Sequence, residues 1–275
     1  MNKCVKEKML YFVFDLDKTI GYFTQVAIFI EAIEEFLKRK LIKKELYKIF
    51  DLFPEIFRPD TFSIFKYLKK LKIKLKCVKV LIYTNNMGPK SWVYTIKNYI
   101  ENKLNYKLFD RTIAAWKVNG IIYEKKRTGH EKKISDLKKC GNIGNTSKIV
   151  FLDDMHHPLM DNKDLTYIKV KAYKHDILFD KMSNIFLKSG IGKLIKKKEY
   201  EKFKKHLINF SRDDPLGFTY IESKITSRKN YEREILNKLK SFVRENKHNI
   251  SRKNKTKKKK KNKTRKGRGG FFHWI

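Results

Sequence analysis

The chain has 275 residues, 41% of them hydrophobic, which is enough for one large α/β domain with extensions and argues against disorder throughout. Its 66 Lys and Arg residues against 29 Asp and Glu give a formal net charge of +37, which indicates anionic partners but no particular fold. The apolar N-terminal stretch is interrupted by Asp15, and no run reaches the roughly 18 apolar residues of a membrane span. Three cysteines without a C-x-x-C pair favour a reducing compartment, so we expect an intracellular protein, cytoplasmic or nuclear, without a membrane partner.

Three short apolar runs, each followed by polar residues, predict buried parallel strands with a site at their carboxyl ends. They lie at Leu10–Phe14, Val78–Tyr83 and 149–152. Between them, apolar residues recur at helical spacing, as in the series Val93, Ile96, Ile100 and Leu104. This alternation predicts an α/β fold with a Rossmann-like, doubly wound parallel sheet.

Two insertions interrupt this plan. Residues 24–53, after the first strand, have a helical pattern and are predicted to form a cap-like element beside the site. A hairpin is predicted from 113–116 and 121–123 around Asn119-Gly120, because this dipeptide suits a tight turn with positive φ.

The C-terminal third of the chain is strongly basic. We predict a first domain at 1–190, a basic helical extension at 191–250 and a disordered basic tail at 251–275. The tail carries 12 Lys and Arg residues, including five consecutive lysines, and is a candidate for non-specific nucleic-acid binding.

The first chemical motif is Asp15-Leu16-Asp17-Lys18-Thr19, directly after the first predicted strand. Two carboxylates at a strand end can face one cavity and share a hard divalent cation, which prefers oxygen ligands. The third strand is followed by Asp153 and Asp154, whose mutual repulsion a cation would relieve. His156 and His157 come next, but Mg²⁺ disfavours imidazole, and they are not assigned as ligands.

Two further motifs are suited to binding an anion. Thr84 and Asn85 follow the second strand, where a hydroxyl and a backbone N–H can hold phosphate oxygens. Thr128 and Glu131 have the spacing of a capping box, which predicts a helix with a lysine in its first turn. A lysine there is unfavourable to the helix dipole unless it serves an anion, and Lys132 and Lys133 are the two candidates.

Taken in order, these motifs resemble those of the haloacid dehalogenase (HAD) superfamily of phosphohydrolases over roughly residues 9–185. Arg58-Pro59-Asp60, the hairpin before the lysine and Pro158 after the acidic pair make the chain similar to the NLI-interacting-factor-like group, which includes the RNA polymerase II C-terminal-domain phosphatases. Similar proteins occur in large DNA viruses, so a host cell or virion is a further expected location. The helical pattern after Gly21 departs from the β-structure usual in that group, so its substrate-recognition surface is not carried over.

The resemblance implies roles for individual residues. Asp15 would be the nucleophile and Asp17 the general acid and base. Asp15, Asp17 through its backbone carbonyl, and Asp153 would hold Mg²⁺, with Asp154 as a further ligand or as a support of one. Thr84, the backbone at Asn85, and Lys132 would bind the phosphoryl oxygens, with Lys133 as the reserve choice for the lysine.

The sequence therefore predicts a Mg²⁺-dependent phosphatase acting on a phosphoprotein through an aspartyl phosphate. Two alternatives stay open: a phosphatase of nucleic-acid ends, for which the net charge would hold a polyanion, and a non-catalytic nucleic-acid-binding protein on the same scaffold. The oligomeric state and the physiological substrate are not predicted.

Overall fold

The computed structural model describes residues 9–212, 231 and 233–246. In chain order the strands are β1 (Leu10–Phe14), β2 (Val78–Tyr83), β3 (Arg111–Ile113), β4 (Lys117–Val118), β5 (Ile121–Ile122), β6 (Lys148–Asp153) and β7 (Leu165–Lys169). Five of them form one parallel sheet in the order β3-β2-β1-β6-β7, and β4 pairs with β5 in a separate antiparallel hairpin. The fold is α/β, with a Rossmann-like, doubly wound sheet, as predicted.

Helices flank this sheet. They are α1 (Thr24–Leu37), α2 (Lys43–Leu52), α3 (Thr61–Lys74), α4 (Lys90–Leu104), α5 (Ile134–Gly141), α6 (Phe179–Lys188) and α7 (Tyr200–Arg212), and residues 233–246 are also helical. Short 3₁₀ turns occur at Pro54–Ile56, Pro158–Met160, Gly192–Leu194 and Lys197–Glu199.

Successive side chains of the central strand enter two different cores. Phe12 and Phe14 face the larger core, to which α1 to α4, α6 and α7 contribute. Tyr11 and Val13 face a smaller core on the opposite side, to which α5 contributes. Because both faces of β1 are buried, the strand reads as a continuous apolar run, which is the pattern that predicted it.

The three predicted strands are confirmed as β1, β2 and β6, and β6 is one residue longer at each end than predicted. Two strands of the sheet, β3 and β7, were not predicted. β3 has only three residues, and β7 lies at the edge of the sheet, where only Ile168 of its five residues is fully buried. The predicted turn at Asn119-Gly120 is confirmed, since both residues have positive φ, but the first predicted arm is wrong because Ile113 belongs to β3.

The predicted helical insertion is present as α1 and α2. Part of the predicted basic extension packs into the larger core: α7 buries Phe203 and Leu207, and the ring of Phe242 lies 5.6 Å from that of Phe12 in β1. The helix α7 and residues 233–246 therefore complete the core around the central strand. The predicted tail at 251–275 lies outside the described residues.

Two findings bear on the expected location. Among the helices of the described ranges, none is both long enough and apolar enough to cross a membrane. Cys77, next to the start of β2, takes part in a disulfide, whereas Cys140 is a buried free thiol. The cysteine pattern therefore does not identify the compartment.

Candidate active site

The predicted site residues lie at the carboxyl edge of the sheet, at the point where the strand order reverses. From β1 the chain proceeds outward to β2 and β3, then returns to add β6 and β7 on the other side of β1. Phe14 pairs in register with Leu152, and the Asp15 N–H donates to the Leu152 carbonyl at 2.9 Å. This parallel register brings Asp15 level with Asp153. Open α/β sheets bind ligands at such a reversal.

A buried lysine bridges the two strand-end carboxylates. The Lys132 Nζ donates to Asp15 Oδ1 at 2.5 Å and to Asp153 Oδ2 at 2.6 Å. All three side chains are enclosed, with residue exposures of 2% for Lys132, 6% for Asp15 and 1% for Asp153. Removing ions from water costs several kcal/mol each, and mutual attraction offsets this only when the geometry is close. The structure brings Lys132, rather than Lys133, to the carboxylates.

Asp15, Asp153 and Asp154 form a group that could hold a metal ion, because one oxygen of each lies within 4.8 Å of the others. Thr19 fixes the third member: its hydroxyl donates to Asp154 Oδ1 at 3.2 Å and accepts the Asp154 N–H at 3.0 Å. The Lys132 ammonium contacts Asp15 and Asp153 while Asp154 lies beside them, so the carboxylates of this group outnumber the ammonium group. Oxygen donors with unbalanced negative charge fit a hard divalent cation.

The Asp17 loop is held by a turn and by an arginine. Lys18 adopts positive φ (59°), and its N–H donates to the Gly21 carbonyl at 2.6 Å, which folds the chain back after Asp17. Arg58 donates to the carbonyls of Lys18 and Thr19 at 2.6 and 2.7 Å. A side chain at Gly21 would overlap the backbone of the neighbouring 3₁₀ turn. The loop conformation therefore depends on residues on both sides of the insertion.

Asp17 is separate from the metal-binding group and is connected to the second strand. Its Oδ2 accepts a hydrogen bond from Asn86 Nδ2 at 2.7 Å. The Asn86 backbone N–H in turn donates to the Thr84 hydroxyl oxygen at 3.0 Å. Because that oxygen is an acceptor in this contact, the Thr84 hydroxyl proton is left to donate to a ligand. The predicted participation of the Asp17 backbone carbonyl in metal binding stays a prediction.

Arg127 is a buried support that the sequence did not indicate. Its guanidinium donates to the carbonyls of Thr84 and Ala114 at 3.1 and 2.8 Å. It also donates to Asn85 Oδ1 at 2.7 Å and to the His130 carbonyl at 2.9 Å. One side chain thus ties the loop after β2 to the segment that leads into Lys132. This contact occupies the Asn85 Oδ1, so the backbone N–H and the side-chain NH₂ of Asn85 remain candidates for binding phosphate.

The predicted capping box is wrong. The helix α5 begins at Ile134 with Lys133 as its N-cap residue and no capping side chain, so neither lysine lies in its first turn. The Thr128 N–H and hydroxyl instead contact the Asp136 carboxylate, at 2.9 Å and 3.1–3.2 Å. Asp136 reaches back over the segment before the helix, and this contact takes the place of the predicted cap.

Burial and neighbouring charges shift the acidic groups in opposite directions. Burial raises the pKa of Asp15 to about 7. The Lys132 ammonium opposes this rise, and the negative charge of Asp153 adds to it. Burial also raises the pKa of Asp17, although the Asn86 hydrogen bond opposes it, and it raises that of Asp154. For Asp153, burial is outweighed by His157 and Lys132, and its pKa is lowered. Asp153 is therefore the fixed anion of the site, and Asp17 is suited to carry a proton.

His157 also contacts the site, as a partner of an acidic group. Its Nε2 lies 3.3 Å from Asp153 Oδ2, and this oxygen also accepts the hydrogen bond from Lys132. The other oxygen of Asp153 accepts the Met155 N–H at 2.8 Å. The i to i+4 spacing of Asp153 and His157 is the only sequence signal for this pair, and it has many other interpretations.

Comparisons with models of protein families, with curated proteins and with solved structures each gave no match to this chain. The candidate function therefore depends on the geometry of the site.

Proposed function

We propose that the chain is a Mg²⁺-dependent phosphomonoesterase of the HAD type, which hydrolyses its substrate through an aspartyl phosphate on Asp15. The observation that carries this proposal is the bridge from Lys132 to Asp15 and Asp153, with Asp154 beside it. A nucleophilic carboxylate, a cation and further carboxylates at one sheet edge are the parts that phosphoryl transfer requires.

The proposed reaction has two displacements. In the first, an oxygen of the Asp15 carboxylate attacks phosphorus, the bond from phosphorus to the ester oxygen breaks, and the Asp17 carboxyl gives its proton to that oxygen. In the second, the Asp17 carboxylate takes a proton from water, whose oxygen attacks the phosphorus of the acyl phosphate. Inorganic phosphate leaves and Asp15 returns as a carboxylate. The net reaction is ester plus water to alcohol plus phosphate.

Binding and orientation of the phosphoryl group would come from neutral donors and from Lys132. The Thr84 hydroxyl and the Asn85 N–H would hold phosphoryl oxygens, and Arg127 keeps their loop in position. The Lys132 ammonium would share its charge between the carboxylates and the phosphoryl oxygens during transfer. Asn86 would hold Asp17 in place for proton transfer.

The donor set fits Mg²⁺, which Asp15, Asp153 and Asp154 would hold. When bound, this ion would neutralise the phosphoryl oxygens and so lower the electrostatic barrier to attack by an anionic nucleophile.

The competing interpretation is a non-catalytic binding protein on the same scaffold. Such a protein would gain nothing from enclosing Asp15, Asp153 and Lys132 together, because replacing a buried ion pair by apolar side chains is often neutral or stabilising. An assay of phosphatase activity separates the two interpretations.

Hydrolysis of p-nitrophenyl phosphate by the full chain, with Mg²⁺ and with EDTA, tests the proposal. We expect Mg²⁺-dependent turnover that an Asp15→Asn variant lacks. An Asp110→Asn variant is the matched control, because Asp110 contacts Lys72 and Lys79 at the opposite end of the sheet and should keep the activity. Turnover equal to that of Asp15→Asn in folded wild-type protein would contradict the proposal.

A further inference from the structure

A cleft of about 450 Å³ opens beside Asp17, between α1 and the beginning of α4. Asp17 and Asn86 bound it on the side of the site, where they also hydrogen-bond to each other. Its walls come from one face of α1 and from the first turns of α4, with Leu41 from the connection after α1 and Leu46 from α2. This volume is in the range of sites that hold a small ligand or part of a larger one.

The lining of the cleft is largely apolar. Ala27, Ile28 and Ile30 contribute from α1, and Trp92 contributes an aromatic ring from α4. Trp92 is only partly buried, and its ring packs edge-on against Phe50 at 5.8 Å, which fixes its position in the wall. A wall of this kind recognises apolar side chains by shape.

The charged groups of the cleft are mainly acidic, although the chain as a whole is strongly basic. Apart from the Asp17 carboxyl, which carries the proton for the leaving group in the proposed reaction, two glutamates, Glu31 and Glu34, line it with one basic residue, Lys40. Glu34 is fixed in place, since it accepts from the Lys40 ammonium at 2.7 Å and from the Leu41 N–H at 2.9 Å. An additional phosphate in this cleft would meet more negative than positive charge, which disfavours a nucleic-acid strand.

The position of the cleft relates it to the reaction. This step rests on the proposed function, in which Asp17 protonates the leaving oxygen. Because Asp17 lines the cleft, the group attached to that oxygen would extend into it. We infer that the cleft binds the leaving group and selects a phosphorylated polypeptide with apolar and basic residues next to the phosphorylated side chain. A nucleic-acid end is the substrate class that it rejects.

Three substrates and two variants test this inference with the full chain and Mg²⁺. The substrates are acetyl phosphate, whose leaving group is too small to occupy the cleft, a phosphoserine peptide with Leu and Lys beside the phosphoserine, and an oligonucleotide with a terminal phosphate. Ala27→Trp fills the cleft, and Ser63→Trp, a similar enlargement on the exposed face of α3, is its matched control.

We expect wild-type kcat/KM to be at least about tenfold higher for the peptide than for the oligonucleotide, the discrimination that one good or one unfavourable contact provides. Ala27→Trp should lower kcat/KM for the peptide about tenfold more than for acetyl phosphate, mainly through KM, whereas Ser63→Trp should not change this ratio. A urea unfolding curve identifies variants that do not fold, and the wild-type comparison does not depend on them.

The outcomes separate the inference from the proposed function. Equal or better use of the oligonucleotide by wild-type protein, or equal losses on peptide and acetyl phosphate in folded Ala27→Trp, would overturn the inference alone. No turnover of acetyl phosphate by wild-type protein would overturn the proposed function and the inference with it.

Discussion

Replacing Lys132 by methionine is the most informative single change in the site. Methionine is close in length to lysine and apolar, so the substitution removes the charge with little change in volume. In the wild-type protein the ammonium group lies 2.5 Å from Asp15 and 2.6 Å from Asp153. The variant would leave these two buried carboxylates facing each other without the ammonium group.

The size of the effect follows from the burial of the three groups. Removing one partner of a buried ion pair costs about 3 to 5 kcal/mol, because the remaining charge stays desolvated. For a protein of this size, each kcal/mol lowers the unfolding midpoint by roughly 2 to 4 °C. We therefore expect the midpoint of Lys132→Met in EDTA to fall by about 10 °C or more. Mg²⁺ should recover part of the loss, because it can neutralise the same carboxylates.

Thermal unfolding followed by circular dichroism, with EDTA and with Mg²⁺, measures both effects. Lys133→Met is the matched control: the two lysines are adjacent, but the Lys133 side chain is only partly buried, and its backbone N–H contacts the Tyr83 hydroxyl in either protein. Equal midpoints for the two variants, or no difference between EDTA and Mg²⁺, would refute the electrostatic account of the site.

Three further predictions concern the supports of the site and the core. Arg127→Lys loses hydrogen-bond donors to the Thr84 loop, so the free energy of unfolding in urea should fall by about 2 kcal/mol. The same variant should lower kcat more than it raises KM, and an unchanged kcat would argue against a positioning role. Burial alone would raise the pKa of Asp110, but two lysines and a backbone N–H hold it below the usual value, so Asp110→Asn should lose about 1 kcal/mol at neutral pH. That loss should disappear as the pH falls below about 4, through the folded-state pKa, and a loss that persists in acid would contradict the ion-pair assignment. Phe242→Ala removes a ring that packs on Phe12 and should cost about 3 kcal/mol, whereas a change below 0.5 kcal/mol would show that residues 233–246 are dispensable to the core.

The sequence predicted the part of the site that depends on strand order. Asp15 and Thr84 directly follow a buried apolar strand and Asp153 ends one, and parallel strands bring their carboxyl ends to one edge of the sheet. Because of this geometry, the register alone places Asp15 beside Asp153. The identity of the lysine depended on a loop that the sequence misread, since the predicted cap between Thr128 and Glu131 does not form.

The residues that the sequence did not indicate act through contacts between distant segments. Arg127 is one basic residue among 66, and its burial and its four acceptors depend on the positions of two loops. Asn86 is one of several polar residues after β2, and its hydrogen bond to Asp17 spans 69 positions of the sequence. Neither contact produces a local pattern in the sequence. Helical spacing predicts α1, but it does not predict the cleft that one face of α1 forms with α4.

The central claim is that Asp15 becomes phosphorylated during turnover, and trapping the phosphorylated protein tests it most directly. The full chain is mixed with acetyl phosphate and Mg²⁺, quenched in acid, reduced with borohydride, which converts an aspartyl phosphate to homoserine, and mapped by mass spectrometry. We predict reduction at position 15 in wild-type protein and none in Asp15→Asn. Steady turnover with no reduced residue, or with reduction at another aspartate, would contradict the account.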